Sequence, residues 1–300
     1  MWISITLFAA LIQSVRFVLQ KHLRSTQLST LGATFSRFFF AWPCLLAVAL
    51  IYSDVTSMPL PQTTPLFWAY GVAGALGQIG GTICTVALFA HRNFAVGAAF
   101  KNTEALLIVP ISLLLLGEGV SGPMLAAIAL GVLALLALSE SPGRAGSWRA
   151  RVVTPATGLG LGSGLLFALA AVGYRGASLN LVGGDLFLRS ALGLGYLTLF
   201  QTLAMAILLS TREPGQIARV IGAWRVASLV GLTSMLGSFA WFSAFALQKA
   251  AYVKALGQTE LIFSFLFSTL LFKERSAPRE IIGIATLLLS VLCVILFARV

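Results

Sequence analysis

Charged side chains are scarce in this sequence. Asp, Glu, Lys and Arg make up 10% of its 300 residues, and only nine residues are carboxylates. Soluble globular proteins carry about a quarter charged residues. Hydrophobic residues reach 58% here. This balance excludes an ordinary soluble domain and indicates a chain that resides in a lipid bilayer.

Cysteine and histidine are also rare, with three and two residues. Cys44, Cys84 and Cys293 fall inside apolar stretches, where cysteine usually serves as a small buried hydrophobe. His22 and His91 have no partner at the spacing of metal ligands. No combination of nucleophile, base and orienting group is evident. We therefore predict that the protein is not an enzyme and holds no metal and no cofactor.

The net charge of +11 comes from 20 basic residues. In a soluble chain such a charge would suggest a nucleic-acid partner. In a membrane protein, Lys and Arg collect in the loops and set the orientation of the helices. We expect the lipid bilayer and a small-molecule substrate as partners, and no nucleic acid. The sequence does not specify an oligomeric state.

Apolar runs of about twenty residues, long enough to cross a bilayer, recur along the chain. We predict an all-α polytopic membrane protein with ten transmembrane helices. The first run is expected to be a membrane helix rather than a cleaved signal, because no basic leader precedes it. The predicted segments are 2–20, 31–53, 66–90, 94–116, 121–139, 154–176, 186–210, 224–247, 251–272 and 279–298.

Part of the first half of the sequence recurs in the second half. Residues 68–118 align with residues 224–274 without a gap. Apolar composition inflates chance matches, but several of the identical pairs are not simple aliphatic residues. These pairs are Trp68/Trp224, Thr103/Thr259, Glu104/Glu260, Ser112/Ser268 and Glu118/Glu274.

A polar insert rich in Gly, Pro and Arg, 140–155, divides the segments into five and five. We predict two five-helix repeats, 1–150 and 151–300, intertwined around one cavity. Because five is odd, the second repeat enters the membrane from the opposite side. Inverted repeats of this kind are typical of secondary transporters, whose binding site lies near the membrane midplane between the repeats.

Several stretches resemble the drug/metabolite transporter superfamily, and within it the ten-helix EamA-type carriers. They are SRFFFAWPCLLAVAL in the second segment, NTEALLIVPISLLLLGE in the fourth, TELIFSFLFSTLLFKE in the ninth and IIGIATLLLSVLCVI in the tenth. The resemblance covers essentially the whole chain. It implies a metabolite exporter of the inner membrane, similar to exporters of amino acids, including aromatic ones. In the first segment many members carry Trp-Gly where this chain has Gln13-Ser14-Val15-Arg16, which leaves the substrate open.

A charge inside a membrane segment is a functional hypothesis by default, because it is costly to hold there. Lys101 and Glu104 are three residues apart and are expected to pair on one helical face, whereas Lys254 and Glu260 are six apart and cannot share one. Glu104 and Glu260 match across the repeat, so we predict that they pair with basic side chains and hold helices together. The alternative is that they bind a substrate amino group or a coupling proton.

Lys101 and Lys254 have no counterpart across the repeat and are predicted to contact a substrate carboxylate. Cations outnumber carboxylates within the membrane segments, which favours an anionic or zwitterionic substrate over a cation. Polar or amphipathic residues in otherwise apolar segments complete the predicted site. The predicted substrate-binding residues are Gln78, Lys101, Tyr174, Trp241, Tyr252, Lys254 and Gln258.

Four charged residues near segment ends are expected to anchor the protein at the membrane interfaces. They are Glu118, Glu274, Arg37 and Arg189. The sequence does not place Arg16 or Arg175. Glycines of the third and eighth segments are expected to let helices approach closely, with a hinge as the alternative.

These features together predict a secondary transporter that moves a small metabolite across the inner membrane by alternating access, with amino acid export as the first expectation. Export of another metabolite or of a drug is the alternative within transport. A polytopic membrane enzyme or lipid-handling protein is the alternative from another class. It is less favoured because the nine carboxylates and two histidines are spread along the chain.

The orientation of the chain can be tested directly. Loops after the odd-numbered segments hold most of the basic residues, so the positive-inside rule places them in the cytoplasm and both termini outside. The family resemblance implies termini inside. We expect a reporter that functions only outside the cytoplasm to be active at the carboxyl terminus. An inactive reporter there, with an active cytoplasmic reporter at the same position, would contradict this orientation.

Overall fold

The computed structural model describes residues 1–89, 101, 103–139, 155–271 and 273, together with separate positions between 282 and 297. The described elements are helices and one pair of two-residue strands. The helices are α1 (Trp2–Thr26), α2 (Thr30–Phe39), α3 (Trp42–Thr56), α4 (Pro65–Leu88), α5 (Glu104–Leu116), α6 (Gly122–Ser139), α7 (Pro155–Leu179), α8 (Leu186–Arg212), α9 (Gln216–Gly222), α10 (Trp224–Leu247), α11 (Ala250–Gly257) and α12 (Glu260–Leu270). The strands are β1 (Gln62–Thr63) and β2 (Leu181–Val182), which pair antiparallel.

Within the described residues, six helical stretches are long and apolar enough to cross a membrane, and one of them combines α2 and α3. They are Trp2–Thr26, Thr30–Thr56, Pro65–Leu88, Gly158–Leu179, Leu186–Arg212 and Trp224–Leu247. Large aliphatic side chains cover the outside of the helices; Leu114, for example, is 82% exposed. Such a surface is stable in lipid and costly in water. The predicted all-α chain with several membrane-compatible helices is confirmed, with six such stretches in the described residues.

Two segments predicted as continuous helices are broken. Segment 31–53 forms α2 and α3, because Pro43 in the first turn of α3 has no backbone N–H to continue a helix. Segment 251–272 forms α11 and α12, which are separated at Gln258–Thr259. Glu274 and the boundary between the predicted repeats lie outside the described residues, as does most of segment 279–298.

Helices α4 and α7 make the most extensive contact in the bundle. Glycines allow their main chains to touch, since a Cβ atom added at Gly173 would lie 2.7 Å from Cα of Gly74. Gly77 likewise faces the carbonyl of Leu166. The close packing predicted for glycines of the third segment is confirmed. Helix α1 packs along α10, and α5 packs along α7.

One end of the bundle is closed by polar contacts, and we call it the closed end. The Arg175 guanidinium of α7 joins the connection after α5 to the end of α10: it pairs with Glu118 at 2.8 Å and donates to the carbonyls of Phe245 (2.6 Å) and Ala246 (3.2 Å). Further contacts across this end are β1–β2, Tyr52 with Asp185, Lys249 with the Gly119 carbonyl, and Tyr70 with the Leu115 carbonyl. Because the contacts join several helix ends, they hold those ends together.

The connection before α8 illustrates how this end is ordered. The backbone N–H of Leu188 donates to the Asp185 carboxylate at 2.8 Å, and the Tyr52 hydroxyl donates to it at 2.7 Å. These hydrogen bonds, led by that of Leu188, hold the pKa of Asp185 below its ordinary value. Asp185 is therefore an ionised N-cap of α8 at neutral pH.

Candidate functional site

Four buried charged side chains meet inside the bundle and form what we call the charge cluster: Lys101, Glu104, Lys254 and Glu260. The Lys101 ammonium lies 2.6 Å from Oε2 of Glu260 and 3.6 Å from Oε1 of Glu104. The Lys254 ammonium lies 3.1 Å from the same oxygen of Glu104. Each lysine therefore pairs with a glutamate from the other half of the sequence. The predicted pairing of Lys101 and Glu104 on one face is also present.

Neighbouring side chains complete the cluster. The amide of Gln13 on α1 donates to Glu260 at 2.5 Å, and the Ser14 hydroxyl donates to the Glu260 carbonyl at 3.2 Å. The Lys254 ammonium lies 4.1 Å from the ring centre of Trp241 on α10. A cation over an indole face is stabilised by the negative face of the ring. The cluster thus joins α1, α5, α10, α11 and α12.

The break in the ninth segment explains how Lys254 and Glu260 reach one cluster although they cannot share a helical face. At the break the backbone N–H of Thr259 donates to the carbonyl of Leu256 at 3.2 Å. The backbone N–H of Ile262 donates to the carbonyl of Thr259 at 3.0 Å. These bonds span three residues, as in a 3₁₀ turn. The turn shifts the face of α12 relative to α11, so side chains on either side of it converge.

A narrow cavity lies beside the charge cluster. Its open centre holds little more than one water molecule. The wall combines amides, hydroxyls, aromatic rings and one ammonium group. The lining residues are Gln13, Gln78, Phe167, Ala170, Ala171, Tyr174, Ser238, Trp241, Phe245 and Lys254.

Four of the seven predicted substrate-binding residues line this cavity. They are Gln78, Tyr174, Trp241 and Lys254. Lys101 is fully buried in the charge cluster instead, and Tyr252 is partly buried against apolar side chains of the core. Gln258 sits at the helix break, where neither the oxygen nor the nitrogen of its amide has a hydrogen-bond partner among the described residues. Their roles in substrate binding stay predictions.

Arg37 lies in the interior and not at the membrane interface that the sequence suggested. It is 1% exposed, and its guanidinium donates to the hydroxyls of Ser234 (3.0 Å), Thr82 (2.7 Å) and Ser238 (3.2 Å). The expectation was wrong because position along a segment does not reveal which neighbouring helices supply polar partners. These hydroxyls come from α4 and α10, far from Arg37 in sequence.

Arg16, which the sequence left unplaced, is also buried, at 2% exposure. Its guanidinium carbon lies 4.4 Å from the ring centre of Phe17, and in the described ranges of the chain neither terminal nitrogen has a hydrogen-bond partner. Gln13 and Arg16 are three residues apart on α1 and so share a face. That polar spacing in an apolar segment is the signal that could have identified the face from the sequence.

Glu118 is not the solvated anchor that the sequence suggested, because Arg175 engages it at the closed end. The side chains of this pair are 14% and 12% exposed, and the guanidinium donates two hydrogen bonds to one carboxylate oxygen. Arg189, in the first turn of α8, is half-buried. Glu274 lies outside the described residues.

Comparisons with known proteins bear on the fold alone. No family model matches the chain, and no curated protein matches it. Chains of solved structures do match, 28 in number. One of them, called only "Crystal structure of protein", aligns over 99% of this chain and 97% of its own, with a TM-score of 0.72 and 16% sequence identity. The fold is thus one that occurs in a crystal structure.

Proposed function

We propose that the protein is a secondary transporter of the inner membrane with ten transmembrane segments in two inverted five-helix repeats. It moves a small zwitterionic or anionic metabolite by alternating access, and amino acid export is the first expectation. One observation carries the proposal: a polar cavity inside an apolar bundle adjoins buried charges from both halves of the chain. Buried charges in membrane proteins mark substrate and ion pathways.

Helix packing supports the inverted repeat. In the alignment of the two halves, α4 corresponds to α10, and α7 corresponds loosely to α1. Among the described helices the two most extensive contacts are α4 with α7 and α1 with α10, and each is the counterpart of the other in this alignment. The contacts of α5 with α7 and of α11 and α12 with α1 are exchanged in the same way. Repeats related by a two-fold axis in the membrane plane would produce this exchange of contacts, which supports the proposal.

The break in the ninth segment supports a transport site between the cavity and the charge cluster. Transporters bind substrates and coupling ions at discontinuous helices, whose freed backbone groups and helix ends face a cavity. Here the break at Gln258–Thr259 lies between Lys254, on the cavity wall, and Glu260, in the charge cluster. A turn of this kind is also a point at which a helix can bend.

The closed end and the narrow cavity fit an occluded or one-side-closed conformer of an alternating-access cycle. At the closed end Arg175 joins Glu118 to the end of α10, and Phe245, whose carbonyl it contacts, also lines the cavity. Loops at this end follow even-numbered segments, which the charge distribution places outside the cytoplasm. In the cycle these contacts open while others form at the opposite end.

Purified protein in liposomes tests the function. We expect saturable uptake or counterflow of at least one member of a panel of labelled amino acids and organic acids. Protein-free liposomes and liposomes treated with a channel-forming ionophore separate carrier transport from leakage. Transport of no panel member would overturn the proposal.

Two tryptophans on α10 provide a matched pair of variants. Trp241 lines the cavity and contacts Lys254, whereas Trp224 is 57% exposed at the start of the helix. We expect Trp241→Ala to reduce the transport rate about tenfold or more, which corresponds to about 1.4 kcal/mol. Trp224→Ala is expected to leave the transport rate within about twofold of the wild-type rate, since substitutions at exposed positions have small effects. Equal rates in the two variants would show that this cavity is not the transport route.

A further inference from the structure

We infer that the transported substrate carries net negative charge, and that Arg37 and Arg16 form its anion-binding subsite beside the cavity. This inference rests on the proposed function and narrows its substrate class from zwitterion or anion to anion. It follows from the balance of buried charges, from the hydrogen-bond partners of the two guanidinium groups, and from the fact that both glutamates are already paired with lysines.

The buried charges of the described membrane helices do not balance. Four cations and two carboxylates are each at most 7% exposed. The cations are Arg16, Arg37, Lys101 and Lys254, and the carboxylates are Glu104 and Glu260. Two positive charges are left over. Buried unpaired charges are strongly destabilising, and arginine cannot escape by losing its proton.

Arg37 is held in place without being neutralised. Three hydroxyls accept from its three nitrogens, which uses three of five N–H groups. Among the residues the structure describes, no carboxylate lies within 4 Å of it. Ser238, one of the three acceptors, belongs to the cavity wall. A fixed guanidinium with free N–H groups matches the planar oxygens of a carboxylate or phosphate.

Arg16 supplies the second positive charge. Within the part of the chain that the structure describes, its terminal nitrogens have no hydrogen-bond partner, and its guanidinium carbon lies 4.4 Å from the ring centre of Phe17. An anion would provide the missing acceptors. Gln13, one turn before Arg16 on the same face, reaches the cavity.

A zwitterion would not correct the imbalance. Its ammonium group needs a carboxylate, but Lys101 and Gln13 already engage Glu260, and Lys254 engages Glu104. Each glutamate has one oxygen without a hydrogen bond, yet its charge is already compensated by a lysine. Counting only the residues that the structure describes, the site therefore has positive charge to offer and no unpaired negative charge.

Matched pairs of compounds test the inference in the wild-type protein. The pairs are phenylalanine with 3-phenyllactate, alanine with lactate, and glycerol with glycerol 3-phosphate. Transport is measured in liposomes, and binding is measured as a rise in the melting temperature of purified protein. We expect the anion of each pair to be transported and to raise the melting temperature to a plateau as its concentration increases. The zwitterionic or neutral compound of each pair is expected to do neither.

Substitutions then locate the subsite. We expect Arg37→Gln and Arg16→Gln to weaken anion binding at least about tenfold, and Arg37→Lys to weaken it less than Arg37→Gln because the charge is kept. Arg225→Gln removes the same charge at an exposed position and is expected to leave binding unchanged. If Arg37→Gln does not fold, Ser238→Ala, which frees one guanidinium nitrogen, is expected to alter anion affinity.

The outcomes separate this inference from the proposed function. Transport limited to the zwitterionic or neutral members overturns the anion subsite and leaves the carrier function standing. Anion binding that is unchanged in Arg37→Gln and Arg16→Gln also overturns the subsite. Saturable anion binding without transport of any compound supports the subsite and overturns the carrier function. Neither binding nor transport of any compound overturns both.

Discussion

Replacing Lys101 with methionine is expected to destabilise the protein by about 3–5 kcal/mol, the cost of removing one partner of a buried ion pair. Lys101 is fully buried, and its ammonium lies 2.6 Å from Glu260. Without it, Glu260 keeps the hydrogen bond from Gln13 but no longer has a cation within 4 Å in the described part of the chain. Unfolding of the purified protein in mixed micelles, by titration with denaturing detergent, measures the loss.

A double variant separates the cost of an unpaired charge from the loss of packing. In Lys101→Met/Glu260→Gln both charges are gone, and the glutamine oxygen can still accept from Gln13. Replacing both members of a buried pair is often nearly neutral, so most of the stability is expected to return. Lys273→Met makes the same substitution at an exposed position and is expected to change stability by less than about 0.5 kcal/mol.

Two results would decide how the charge cluster is used. A double variant no more stable than Lys101→Met would contradict the ion-pair explanation. A double variant that regains stability but transports nothing would assign the cluster to the transport cycle, contrary to the predicted framework role of Glu104 and Glu260. Recovery of both stability and transport would support that framework role.

Adding one methyl group at Gly173 is expected to destabilise the protein by about 1–3 kcal/mol, the usual cost of overpacking. The new carbon would lie 2.7 Å from Cα of Gly74 and 2.7 Å from the carbonyl oxygen of Tyr70. Both are main-chain atoms of α4, which cannot turn aside as a side chain could. The contact between α4 and α7 must therefore widen.

The same helix offers the control. Gly162 also lies on α7, and a Cβ atom added there has no atom within 4 Å. Alanine is favoured over glycine in a helix by about 1 kcal/mol, so Gly162→Ala is expected to be neutral or slightly stabilising. Detergent-induced unfolding of both variants measures the difference. A Gly173→Ala variant as stable as Gly162→Ala would contradict the close approach of α4 and α7.

Much of the fold could be predicted from the sequence because a membrane limits the choices. Apolar runs of sufficient length form helices in lipid, where every backbone group must be bonded internally. The six candidate spans fall within predicted segments or extend them by a few residues. The breaks at Phe40–Ala41 and Gln258–Thr259 were missed, although Pro43 signals the first. No comparable local signal marks the second.

The candidate site was predicted in its composition but not in its pairing. Lys101, Glu104, Lys254 and Glu260 could be singled out because charge is rare in apolar segments. Their partners could not, since Lys101 and Glu260 are 159 residues apart and Lys254 and Glu104 are 150 apart. Helical periodicity indicates which residues share a face of one helix. It does not indicate which helix that face will meet.

The sequence by itself determined that this is an apolar, helical chain in which residues 68–118 align with residues 224–274, with a small set of charges inside the apolar segments. Only the tertiary structure decided that the lysines and glutamates pair across the two halves, that Arg37 is buried among hydroxyls, and that the described part of the chain offers no hydrogen-bond partner to the terminal nitrogens of Arg16. The physical reason is that burial of apolar area acts without direction, whereas ion pairs and hydrogen bonds depend on distance and angle. Those distances exist only once α1, α4, α7 and α10 have packed together.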